Sequence, residues 1–436
     1  MIHHAAAHDA SNSGAVPCGA SPQRSQRRWM WGLAGLAVAA GLAWLGVAWL
    51  SAQRRSLPAG ITENEYARAA QSWKLRYRRK PGELDVLSWL AESAVAAGNL
   101  ESAAACFERI PTSHPVYGRS ARHQEGQVLQ KLNRLCSAER NLREFIELET
   151  NSPQPQNEQS QSELLVDAMQ RLRSLLELEL RFEERRALLQ QMFQKQDGDL
   201  VETLMYLFPT QLRWNGRAAI ARAEAALAAD PDCFEVRRAI GRYRTGQGRL
   251  DESREILDGC LRERPGDLAT YSYVLACEFE RGGVKAIVEA VNRLPPPSDR
   301  DPWLLLELRG YVCNDQQRFA EALDCFERVL REDPVNSACH QGIATACQGI
   351  RDSERRSREL AITGILTRIQ VRVVRLMQLE HPPETILEIA EMCEQLGLQE
   401  HTRRMARQGL ALYPRFEEFH VVLDRLAPNS PHGQSQ

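Results

Sequence analysis

From Trp29 to Ala52 the chain reads WMWGLAGLAVAAGLAWLGVAWLSA, an apolar run without a single charge. Beyond it, apolar stretches are short, mixed with charge, and punctuated by Gly and Pro. The 24 residues of the run, at ~1.5 Å each, make a helix of about 36 Å, enough to cross a hydrocarbon core of ~30 Å with tilt. Arg24, Arg27 and Arg28 precede it, Arg54 and Arg55 follow it, and Trp29, Trp31 and Trp49 lie near its ends, where indoles favour the interface. A cleaved signal peptide is the competing reading, with Leu50-Ser51-Ala52 as its cleavage site. Signal cores usually run only about 7–15 residues, which favours an uncleaved single-pass anchor in the bilayer. Ala37 and Gly41 give one small-xxx-small step, a route to self-association. Lys and Arg are nearly balanced across the run, so they hardly decide orientation. The commoner arrangement, a short tail inside and a large domain exported, gives the expectation of an extracytoplasmic body, although unpaired cysteines point the other way. Residues 1–28 hold His3, His4 and His8 among small polar residues, and read as a disordered tail.

A spacing recurs in the remainder. Gly241 is followed at seven residues by Gly248, at twelve by Ser253 and at twenty-four by Pro265. Ala91, Gly98, Ala103 and Pro115 keep all these intervals; Gly310, Ala322 and Pro334 keep those of twelve and twenty-four. Ala390, Gly397, Thr402 and Pro414 repeat the pattern near the end. The intervals have a mechanical meaning. Two helices packed as an antiparallel hairpin need small side chains where their axes approach, such as Gly241 against Ser253. Gly248 supplies a turn with positive φ, and Pro265 ends the second helix. Bulky Phe107, Leu257 and Phe326 follow the second small position by four residues and fill the space between neighbouring hairpins. No such hairpin buries both faces alone, so several must stack.

On these residues the chain resembles the tetratricopeptide repeat family, most closely over Trp303–Pro334 and Phe234–Pro265. The resemblance implies an all-α fold, a right-handed superhelical solenoid of helix-turn-helix repeats preceded by one transmembrane helix. The expected order is tail 1–28, transmembrane helix 29–52, a first solenoid segment 60–149, a polar loop 150–161, a second segment 162–428 with a capping helix, and a disordered end 429–436. The resemblance is poor between 150 and 200, where Arg181-Phe182-Glu183-Glu184 is similar to the start of a second helix but the first helix lacks its small residue. Between Asp352 and Leu379 one unusually long helix is expected.

The resemblance further implies that first helices line a groove for a partner protein. That face would show Arg238, Arg242, Thr245, Ser272, Phe279, Glu307, Tyr311, Asn314, Gln341 and Thr345. It lacks the regular Lys/Asn/Arg set with which some family members hold a C-terminal carboxylate.

Composition adds little chemistry. Lys plus Arg (55) and Asp plus Glu (57) nearly cancel, which speaks against a nucleic-acid partner. The 11 cysteines show no C-x-x-C and no disulfide framework; Cys277, Cys313, Cys347 and Cys393 read as small core residues. No phosphate-binding loop, dinucleotide fingerprint, nucleophile elbow or H-E-x-x-H motif occurs. Cys339, His340 and Cys347 form the one compact Cys/His group, short of a zinc set and read as packing. The expectation is a membrane-anchored scaffold with neither catalytic residues nor cofactor nor metal. Its rivals are an exported envelope factor that assists assembly or secretion of other proteins, and an accessory subunit of an enzyme complex.

Overall fold

The structure, a computed structural model, describes residues 84–151, 158–194, 198–210, 217–378 and 381–427, with Arg68 and Gln71. The tail, the apolar run 29–52 and the end 429–436 lie outside the described residues. No described helix is long and apolar enough to cross a membrane. The described residues form nineteen α-helices and no strand.

In chain order these are α1 Leu84–Ala96, α2 Leu100–Glu108, α3 Gly118–Lys131, α4 Leu135–Thr150, α5 Glu158–Leu178, α6 Phe182–Phe193 and α7 Leu200–Leu207. Then come α8 Arg217–Ala229, α9 Phe234–Gly246, α10 Leu250–Glu263, α11 Leu268–Gly282, α12 Val284–Asn292 and α13 Trp303–Asp315. The last are α14 Phe319–Glu332, α15 Ser337–Gly349, α16 Ser353–Gln378, α17 Pro383–Gln395, α18 Gln399–Leu412 and α19 Glu418–Arg425. Helix α5 begins inside the stretch read as a polar loop, and α16 spans the long helix expected there.

Seven hairpins turn in the same way. The residue before the last connector has positive φ: Gly98, Asn133, Leu180, Gly248, Gln317, Arg351 and Gly397. After each, the next amide donates back into the last turn of the first helix, as Arg249 N–H does to Arg244 O and Arg318 N–H to Cys313 O. This is the Schellman closure, which satisfies carbonyls a helix end would otherwise leave open. Only three of the seven positions are glycine, so the glycine signal reports fewer hairpins than exist.

The close approach inferred from the small residues is present. Ser253 Oγ donates to Gly241 O at 2.8 Å. Phe326, fully buried, lies between Gly310 of its own hairpin and Gly342 of the next. A Cβ at 310 would stand 2.5 Å from that ring, and one at 342 would stand 2.3 Å from it.

Helix α5 is the partition of the molecule. One face (Ala168, Leu175, Leu178) packs with α1–α4, α8 and α9, while Leu165, Met169, Leu172 and Leu176 pack with α6, α7 and α16–α19. Further ties hold α6 and α7 to the C-terminal hairpins. His401 Nε2 bonds Leu207 O at 3.0 Å, and the Arg404 guanidinium covers the Phe193 ring at 4.6 Å.

The cysteine reading needs one correction. Cys136, in the first turn of α4, is bonded to Cys233, the residue before α9, across 97 positions. Cys277, Cys313, Cys347 and Cys393 are buried free thiols, as read from the sequence. Cys339 and Cys347 pack in the core, and His340 Nδ1 bonds Glu359 at 2.6 Å.

Gln317 is exposed and pays the left-handed cost without using its side chain. Gln317→Gly is therefore expected to raise stability by about 0.5–1 kcal/mol, whereas Gly310→Ala lowers it by roughly 1–3 kcal/mol through overpacking against Phe326. Urea midpoints that move together, or not at all, would contradict the turn and crossing assignments.

Candidate functional site

A cavity of about 300 Å³ opens between the α5–α6 turn and the inner faces of α9, α11 and α13. Its position follows from helix geometry. Arg238, Arg242 and Gly246 on α9 are four apart, and Ala269, Ser272 and Tyr273 on α11 share one face. The start of α13 adds Pro302, Trp303, Leu304 and Glu307; Thr210 and Asn336 close one side. The opposite wall is Leu180 to Glu184.

The α5–α6 turn is held against the inner faces by specific bonds. Tyr243 Oη donates to Leu178 O and Tyr273 Oη to Leu180 O, both at 3.0 Å. Burial pushes both phenols up, so they remain donors. Trp303 N–H donates to Glu183 Oε1 at 2.7 Å across the cavity mouth. Glu183 keeps an accessible edge, yet the protein around it raises its carboxyl, against the Trp303 bond. Arg181 donates to Glu139, Glu179 and Glu184, each at 2.7 Å, and fixes the turn to α4. Glu179 is fully buried, and burial followed by the nearby Glu139 pushes it up to about 7.

Polar groups of both signs line the cavity. Arg238 pairs with Asp267 at 3.1 Å. Burial alone would raise Asp267; the Thr270 hydroxyl and amide, with Arg238, outweigh it and hold this carboxyl below its usual range. Behind Thr210, burial pushes Asp333 up to about 6, against the hydrogen bond that the Thr210 hydroxyl donates to it at 2.6 Å. Phe182, Trp303 and Leu304 supply apolar surface. The lining contains carboxylates and guanidiniums but neither histidine nor cysteine. Charged, hydroxyl-bearing and apolar side chains thus share one concave wall, with the Thr210 hydroxyl committed to Asp333.

Of the ten residues placed in the groove from sequence, Arg238, Arg242, Ser272 and Glu307 meet in this cavity. Thr245 does not face it: the side chain is buried in its own hairpin, on Ser253 Oγ at 2.7 Å. Phe279 and Tyr311 stack on each other with centroids 5.6 Å apart, and the Tyr311 hydroxyl donates to Glu307. Asn314 donates to Gly342 O at 2.8 Å and so joins two hairpins. Gln341 and Thr345 are exposed on α15, away from the cavity. Sequence reasoning missed Arg181, Phe182, Glu183, Tyr273 and Trp303. One signal was present: an Arg followed by Leu or Phe opens the second helix at Arg134, Arg181, Arg249 and Arg318 alike.

Comparison with known proteins gives a family match for part of this site. No curated protein sequence matches the chain. Among solved structures, the Cut9–Hcn1 hetero-tetramer of APC/C covers 83% of this chain and 87% of its own, at 11% identity and a TM-score of 0.34. The human IFIT1 dimer with m7Gppp-AAAA covers 85% and 95%, at 12% identity and TM-score 0.33. Yeast Tom70 covers 83% and 92%, at 12% identity and TM-score 0.28. At these scores whole-chain superposition is poor, and nothing about this chain rests on it. Residues 215–267, which contain α8, α9 and α10, match the model of the tetratricopeptide repeat family, and the described residues as a whole form an all-helical series of Schellman-turned hairpins.

Proposed function

We propose that this chain is a non-catalytic interaction scaffold that takes a segment of a partner protein into the cavity between the α5–α6 turn and α9, α11 and α13. The observation that carries the reading is the lining itself. Charges of both signs and an apolar patch at Trp303 and Leu304 converge there. The tetratricopeptide match supports it, because that family's inner helix faces bind proteins and α9 provides one wall. A bound segment would set an apolar side chain on Trp303 and Leu304 and align its backbone with the polar walls.

Anchoring through residues 29–52 is part of the proposal and has the length and charge pattern of that segment as its support. The Cys136–Cys233 bond favours a body outside the cytoplasm, since disulfides persist in oxidising compartments. That placement suits an envelope factor acting on other exported proteins.

Ala269 lines the cavity at a position where a large side chain would fill it. In pull-downs from detergent extract, Ala269→Trp is expected to lower recovery of the wild-type partners at least tenfold, while Thr345→Ala, on exposed α15, keeps them. Identical partner sets for wild type and Ala269→Trp, with unchanged helicity, would place binding elsewhere. For the compartment, acid-trapped cells alkylated before digestion should yield the linked Cys136–Cys233 peptide; both cysteines recovered alkylated would contradict an exported body.

A further inference from the structure

Helix α16 carries a second face that the repeat packing does not use. It has 26 residues, against 14 in each of the second helices α10, α14 and α18. Leu366, Ile369, Val373 and Leu376 are fully buried against α17–α19 and the inner segment. On the opposite side Ser357, Leu360, Gly364, Thr367, Val371 and Val374 are all exposed, Val371 by 64%. Their intervals are three, four, three, four and three, which is the seam of a heptad helix rather than a solvated surface. The two hydroxyls bond carbonyls of their own helix, Ser357 to Ser353 O and Thr367 to Thr363 O, both at 2.9 Å. A partner covering the seam would therefore strand no donor. A Cβ at Gly364 would meet nothing within 4 Å, so a second helix axis could come close there.

The outer faces of the other second helices differ. Asp251, Glu252 and Glu255 occupy that of α10, and Glu321, Asp324, Glu327 and Arg331 that of α14. Beyond the exposed Glu354 of its first turn, charge flanks the α16 seam with one sign. The helix holds six arginines and two glutamates in a chain that is nearly neutral overall. Arg355 and Arg372 are paired within the body, to Glu327 and Glu388. Arg356, Arg368 and Arg375 are exposed beside the seam, at the positions that choose partners in paired helices.

We propose that the exposed seam of α16 docks an acidic amphipathic helix of a partner protein, with small or branched apolar residues on Leu360, Gly364, Val371 and Val374 and carboxylates opposite Arg356, Arg368 and Arg375. The seam has no aromatic residue and no side chain larger than leucine, so it suits the close packing of a helix better than insertion into lipid. A second copy of this helix would bring arginine against arginine, which disfavours self-pairing. This surface is separate from the cavity.

The probe is a designed four-heptad helix with leucine at its seam and glutamate at its flanks, fluorescein-labelled and titrated with the full chain in detergent. Its twin carries lysine flanks. The acidic helix is expected to bind at least tenfold more tightly than the twin and to weaken with salt. Arg368→Glu/Arg375→Glu should reverse that preference, and Val371→Glu should remove binding of both, with helicity by circular dichroism unchanged. Ala269→Trp should leave the titration as in wild type, so failure of the cavity reading and of this one are separable. Equal binding of the two helices, or a charge-reversed variant that still prefers the acidic one, would overturn the proposal. So would arginine-dependent binding to phosphatidylglycerol vesicles without binding to either helix, or concentration-dependent dimers lost in Val371→Glu.

Discussion

Two tyrosine hydroxyls hold the candidate site together. Tyr243 on α9 and Tyr273 on α11 each donate to a carbonyl at the α5–α6 connection, Leu178 O and Leu180 O. A helix ends with carbonyls that lack intrahelical partners, and burying them without donors costs roughly 1–3 kcal/mol each. Here the donors come from the inner faces of the repeats. The bonds that satisfy the helix end are thus the same bonds that seat the turn in the groove. Together with the Arg181 and Trp303 bonds, they set Phe182 and Glu183 opposite Arg238 and Trp303 as the cavity's second wall.

Around this contact the inner segment is unusually rich in buried charge. Arg185 is fully buried, with its Phe182 neighbour's ring at 5.1 Å and its Nη2 donating to Pro209 O at 3.2 Å. Burial lowers its guanidinium to about 10, which still leaves it charged at neutral pH. Arg181 satisfies three carboxylates at once. Buried ions of this kind add little net stability compared with apolar packing. Their effect here is positional: Arg181 ties the α5–α6 turn to Glu139 on α4, and Arg185 ties α6 to carbonyls in and after α7. The disulfide between Cys136 and Cys233 ties α4 to the start of α9 by a covalent bond.

The regular hairpins were legible because sterics leave a mark on sequence. Gly241 and Gly310 lie where a Cβ would strike Leu257 or Phe326, so their spacing reports the crossing directly. The α5–α6 hairpin obeys the same backbone closure, but its left-handed residue is Leu180 and no small residue marks its crossing. A glycine count passes over it for that reason. Half the groove was legible too. Arg238, Arg242, Ser272 and Glu307 follow from the inner face of first helices, whereas Thr245, one position before Gly246 of the lining, rotates into the hairpin. The opposing wall was not legible, because it depends on which distant segment fills the groove. The disulfide escaped for a related reason: 97 residues separate its ends, and no local spacing encodes a pairing made by tertiary structure.

Hydrogen exchange over residues 176–186 tests the seating of this turn most directly. With the turn docked, its buried amides should exchange within about tenfold of those in α9 and α11, since they open only with the surrounding structure. In Tyr243→Phe/Tyr273→Phe the same amides should exchange much faster while α10 and α14 stay protected. A wild-type segment exchanging like an open chain beside protected α9 and α11 would contradict the account.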